Sequence, residues 1–208
     1  SSDVCSSDLG VDLTGTGTEA ATINVNAAIT TTAAADTVTI NEAATVDINN
    51  AITSAGGLLV TNATTINLAG GFTQQAASGD MDLATGVTTI NLDGTGNVTL
   101  DQDGANELSL AAITSTSDGN TNNLFITTQD INGVTLSTID LGETGTDGTL
   151  SVTLDNATTD TQTLTLGGAI TNVAGVDLSG TGTEAATINV NAAITTTDAA
   201  DKIGRAHV

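Results

Sequence analysis

Asp101-Gln102-Asp103-Gly104-Ala105-Asn106-Glu107 gathers three carboxylates, two amides and a glycine into seven consecutive residues. Hard oxygen donors around a glycine bend are the raw material of a calcium loop. Asp93-Gly94-Thr95-Gly96-Asn97 repeats the theme more sparsely. Neither stretch has the twelve-residue spacing of an EF-hand loop. Neither follows the Gly-Gly-x-Gly-x-Asp nonapeptide of calcium-stapled β-rolls. Weakly bound calcium at Asp101, Asp103 and Glu107 is therefore the one cofactor candidate, set against a plain acidic turn. No defined catalytic, cofactor or metal site is expected, and diffuse screening of the acidic surface by divalent cations is the simpler reading.

Other chemistry lacks its reagents. Cys5, Lys202, Arg205 and His207 are the only Cys, Lys, Arg and His of the chain. All four lie in terminal stretches that do not read as natural protein. SSDVCSSDL at residues 1–9 and KIGRAHV at 202–208 resemble translated sequencing-library adapter, and they are set aside from the fold reading. Residues 10–201 then hold no His and no Cys, so neither a Ser/His/Asp triad nor a Cys/His pair can be assembled. Paired carboxylates could serve a glycosidase, yet Asp and Glu are scattered singly through turns, as on a solvated surface. Gly15-Thr16-Gly17 and Gly180-Thr181-Gly182 resemble pieces of a phosphate loop without the helix or lysine that would complete it. Three Asn-x-Thr glycosylation patterns, at Asn62, Asn97 and Asn156, are what an Asn- and Thr-rich chain produces by chance. Thr-x-Thr at Thr37/Thr39 and Thr163/Thr165 resembles flat ice-binding faces, but it does not fall at one place in successive units.

Charge narrows the partners. The chain of 208 residues carries a formal net charge of −22, with 24 Asp and Glu against two Lys and Arg. A phosphate backbone is repelled and no cation is present to displace its counterions, so nucleic acid is excluded. An anionic membrane surface is excluded on the same ground, and no apolar run is long enough to cross a bilayer. High charge and few aromatics also fit a disordered chain. Against that, Val, Ile and Leu recur at period two throughout, and Pro is absent.

What must position any site is a short recurring pattern. Ile23-Asn24-Val25-Asn26-Ala27-Ala28-Ile29-Thr30 returns from Val46, Ile66, Leu164 and Ile188, with looser versions from Ile90, Leu108 and Val134. The mean step is about 24 residues, in the range of solenoid repeats. A second apolar pair precedes each copy: Val11/Leu13, Val38/Ile40, Leu58/Val60, Met81/Leu83, Val98/Leu100, Leu124/Ile126, Val152/Leu154 and Val176/Leu178. Each unit thus reads as two short half-buried strands with a third apolar position behind them. Asn24, Asp47, Asn67, Asn91, Ser109, Thr135, Thr165 and Asn189 should point outward as one ladder, because alternate side chains share a face.

Such a unit cannot bury its strands alone, so the prediction is an all-β, parallel β-solenoid of about eight rungs over residues 10–201, each strand pairing with its counterparts above and below. Eight steps of about 4.8 Å give a rod of roughly 40 Å. The strands at Ile23, Val46, Ile66 and Ile90 should occupy successive rungs of one sheet. A higher repeat is also visible: Gly10–Asp36 matches Gly175–Asp201 at 25 of 27 positions, an offset of 165 residues that reads as seven units.

These Thr-Ile-Asn-Leu units, without Pro or Cys in residues 10–201, resemble the β-strand repeats of very large bacterial surface and secreted proteins, namely filamentous-haemagglutinin-like adhesins and autotransporter passenger domains. The resemblance implies a right-handed parallel β-helix, export to the cell surface or beyond, and a role in adhesion or surface coating. Its partners would be neighbouring repeats of the same chain and host or surface glycans or proteins. Two alternatives remain: a carbohydrate-binding or carbohydrate-active β-helix, and a tandem array of β-sandwiches of the S-layer or cadherin kind. Sandwiches need about 100 residues each, far more than the observed unit.

Overall fold

A computed structural model describes residues 10–15, 21–104, 106–115, 121–130, 132–142, 147–156, 161–182, 186–197 and 202–203. These residues form a parallel β-solenoid with three strands to the turn and, among the described residues, no helix. In the first two units the third apolar position is a strand in its own right: Ile29–Thr30 and Ile52–Ser54 stack in register as the start of a separate sheet.

Three faces result. The first runs through Val11–Thr14, the leading halves of the long strands Val38–Ile48 and Leu58–Ala69, then Met81–Leu83 and Leu108–Leu110. It resumes as a three-stranded sheet of Val134–Leu136, Thr163–Leu166 and Thr187–Val190. The second face takes Thr22–Val25, the trailing halves of the two long strands, Thr89–Asp93, Ala112–Ser115, Ile139–Asp140, Ile170–Val173 and Ile194–Thr196. The third is an eight-stranded sheet from Ile29–Thr30 to Lys202–Ile203, and every pairing in all three is parallel. Leu58–Val60 and Ile66–Leu68, whose antiparallel pairing would have marked a sandwich, instead lie in one continuous strand that bends between faces.

Period-two alternation sends Val, Ile and Leu inward on every face, and parallel register stacks like on like. Ile23, Val46, Ile66 and Ile90 occupy four successive rungs as expected, and Ile113, Ile139 and Ile170 continue the column. Val25, Ile48 and Leu68 form the next, all buried. On the third face Leu100, Ile126, Val152 and Leu178 stack likewise. The result is one dry aliphatic core along the rod axis. A narrow column of this kind is filled by branched aliphatics without rings.

Corners between the first two faces use backbone conformations that few side chains tolerate. Glu42 and Asn62 stand one above the other at φ 56° and 54°. Asn62 fits because Asn tolerates the left-handed region and its amide can bond locally. Its Nδ2 donates to Asn41 Oδ1 at 2.9 Å, where the Thr61 hydroxyl also donates at 3.1 Å. One rung further on the same place is taken by Gly86, where an added Cβ would lie 2.5 Å from Asn62 Oδ1.

Two expectations about register are corrected. The eight copies of the recurring pattern do not share a column: the four starting at Ile23 to Ile90 stack on the second face, whereas Leu108, Val134, Leu164 and Ile188 belong to the first. The outward ladder splits accordingly. Asn24, Asp47, Asn67 and Asn91 continue through Thr114 and Asp140, while Ser109 aligns with Asp82, and Thr135, Thr165 and Asn189 align with one another. The cause is the third strand, which the two-strand reading counted as the opening of the next unit from Val98 onward. For the same reason the 165-residue repeat is not a whole number of turns. Val11 opens the first face beside Val38, whereas its equivalent Val176 lies on the seventh strand of the third face beside Leu150. Six turns and two further faces separate them.

Candidate functional site

Asp101 near the end of one strand of the third face and Asp103 just beyond that end flank the buried Gln102, two residues apart. The rung below contributes Gln75, whose Nε2 donates to Asp103 Oδ2 at 2.7 Å and Asp101 Oδ2 at 3.3 Å. Further along, Gln129 donates to Asp155 Oδ2 at 3.3 Å, and the Thr181 hydroxyl to Asp155 Oδ1 at 2.8 Å. Acids and amides thus alternate along one edge of the face. Burial pushes the Asp101 carboxyl up to about 6, helped by the charge of Asp103, a hydrogen bond between the two carboxyls and the charge of Asp155; the Gln75 amide opposes the shift.

Glu107 does not join them. Its carboxylate accepts the Ser109 hydroxyl at 2.7 Å, its N–H donates to Asp80 Oδ1 at 3.1 Å and its carbonyl accepts from Met81 at 2.9 Å, all at the entry to the first face. The corner at Gly104 therefore divides the acidic heptapeptide between two faces. Ala105 lies outside the described residues. Asp93–Asn97 is a second corner, with Gly94 and Gly96 at φ 83° and 108°. Its Asp93 and Asn97 carbonyls receive the N–H groups of Gly70 and Gly71, each at 2.8 Å, so backbone oxygens are spent on the neighbouring rung. Among the described residues no group of three or more His, Cys, Asp or Glu is placed to hold a metal ion.

The other outward acids are spread around the rod: Asp12 and Asp82 on the first face, Asp47 and Asp140 on the second, Asp155 and Asp177 with Asp101 on the third. Beside Asp177 a shallow hollow of about 390 Å³ is lined by Phe125, Thr149, Leu150, Ser151, Gly175, Val176 and Asp177.

Sequence reasoning missed a polar seam inside the rod, at the corner where the third face passes to the first. The Ser54 hydroxyl reaches the carbonyls of Gly57 at 2.7 Å and Asp36 at 3.1 Å. Gln102 donates to the Gly79 carbonyl at 3.4 Å and to that of Gly104, and its Oε1 accepts the Thr128 hydroxyl at 2.8 Å. Asp130, fully buried, accepts the N–H groups of Leu108 at 3.0 Å and Asn132 at 2.7 Å. Its carboxylate thereby stands in for a strand carbonyl where the first face is interrupted. Gln162 donates to the carbonyls of Thr128 and Asp130, leaving its Oε1 without a partner. Each polar residue sits in an otherwise inward-pointing position, and that interruption of apolar alternation was the available signal.

The fold class is thus a three-faced parallel β-solenoid with an aliphatic interior and an acidic, amide-rich exterior. No protein-family model, curated protein or solved structure matches the chain.

Proposed function

We propose that this segment is a structural and adhesive rod within a large bacterial cell-surface or secreted protein, acting outside the cell and without catalysis of its own. The observation that carries the reading is the distribution of outward acids over all three faces. A catalytic β-helix concentrates its carboxylates in one groove, whereas a spacer needs only a soluble exterior around a continuous core. The density of carboxylates also favours solubility over self-association of the lateral faces.

The test is binding without turnover. Purified protein should be retained on glycan- or protein-coated surfaces while releasing no reducing ends from polysaccharides. Release of reducing ends, lost in an Asp101→Asn or Asp155→Asn variant, would replace this reading with an enzymatic one.

A carbohydrate-binding β-helix is the second reading, favoured by the hollow at Phe125. Thr99, Phe125, Ser151 and Asp177 stand in one outward column. An aromatic ring beside a hydroxyl and a carboxylate suits a sugar. Loss of glycan retention in Phe125→Ala, with the fold intact, would favour it.

A further inference from the structure

The second face carries a regular array that neither reading requires. Thr22, Thr45, Thr65 and Thr89 are in register on four successive strands, and Asn24, Asp47, Asn67 and Asn91 form a parallel column two residues along. All eight side chains point outward, since Ile23, Val46, Ile66 and Ile90 between them fill the core. Strand geometry sets the spacing at about 4.8 Å from rung to rung and about 6.6 Å between the columns.

Both columns are held stiffly. Asn67 Nδ2 donates to Asp47 Oδ1 at 2.6 Å, Asn91 Nδ2 to Asn67 Oδ1 at 3.1 Å, and the Thr114 hydroxyl to Asn91 Oδ1 at 3.5 Å. Thr is confined at χ1 by its branched Cβ. Among the described residues the four Thr hydroxyls have no protein partner. Fixed hydroxyls and methyls at regular intervals lose little freedom on binding. A single such contact is weak. Many contacts act together only against a partner with a matching repeat.

We infer that this Thr-x-Asn face binds the ordered water lattice at an ice surface. Ice is periodic in two directions at spacings of this order, and liquid water is not. Crystalline polysaccharide is also periodic, but binding it calls for aromatic platforms, and neither column contains a ring. A charged partner finds no match, because the eight positions hold one carboxylate and no cation. The inference stands apart from the adhesive reading, since it concerns a different partner.

The test uses the purified chain and measures thermal hysteresis and inhibition of ice recrystallisation. The wild-type protein should shape ice crystals and inhibit recrystallisation in a dose-dependent way. Thr65→Tyr, at the centre of the array, should reduce both effects several-fold with an unchanged far-UV circular dichroism spectrum. Thr99→Tyr, on the third face, should leave them intact. Asp47→Asn removes the one charge and should strengthen the effect, which tests the face even if Thr65→Tyr fails to fold. Absence of any ice activity in the wild type, equal loss in Thr65→Tyr and Thr99→Tyr, or retention on crystalline cellulose without ice activity would each overturn the inference.

Discussion

Asp101 and Asp103 share one donor: the Gln75 amide reaches both carboxylates from the rung below. The carboxyl of Asp101 is pushed up to about 6 from an ordinary 3.8, chiefly by burial and the charge of Asp103. Between those values the folded chain holds more protons than the unfolded one, so stability falls as pH rises through that window, and above it the full cost is present. Asp101→Asn should raise stability at neutral pH by about 1 kcal/mol, a figure discounted for solvent screening at a partly exposed site. Well below pH 3.8 the variant should match the wild type. Urea unfolding on both sides of the window checks it; a variant less stable than the wild type at neutral pH would contradict the assignment.

Ile66 lies inside the aliphatic column that runs from Ile23 to Ile170, fully buried between Val46 and Ile90. Ile66→Ala should cost about 2–5 kcal/mol, because parallel stacking leaves the cavity walls little room to collapse. The midpoint of denaturant unfolding reads the loss. A change below 1 kcal/mol would mean the column is not close-packed.

Asp130 serves two backbone donors, the N–H groups of Leu108 and Asn132. Asp130→Ala should leave both unpaired, at about 1–3 kcal/mol each. Asp130→Asn keeps one acceptor oxygen and should recover part of that loss. Hydrogen exchange at the Leu108 amide distinguishes the two, and equal protection in wild type and Asp130→Ala would refute the role.

Asn62 turns the chain at φ 54°. Asn62→Ala should destabilise by about 1–2 kcal/mol through the left-handed backbone alone, with the bond to Asn41 lost besides. Asn62→Gly should cost less, and the ordering of the two melting temperatures is the check.

Burial was legible in the sequence, but the angular position of each strand was not. Ile90 and Leu108 both open an apolar-x-apolar run, and both are buried, yet one belongs to the second face and the other to the first. Alternation tells which side chains point inward and is silent about which wall they point from. Corners set that, and strand spacing varies: Val38–Ile48 passes between faces within one strand, while eight residues separate Ala112–Ser115 from Leu124–Thr128 in the sequence. The same blindness joined Glu107 to Asp101 and Asp103 as candidate calcium ligands. Those three are close in sequence, but Gly104 sends the chain around a corner between them. Of the Thr-x-Asn array, the column of Asn24, Asp47, Asn67 and Asn91 was legible as an outward ladder, whereas the Thr column beside it emerged only through register.

Near-identical stretches at Val11 and Val176 occupy different walls of the prism. A filament assembled from 165-residue copies would behave like a screw whose lettering advances two-thirds of a revolution per copy, so any mark returns to the same side only with the fourth copy. Such a filament has no front or back, and a receptor could meet the same letters whichever way the shaft is turned.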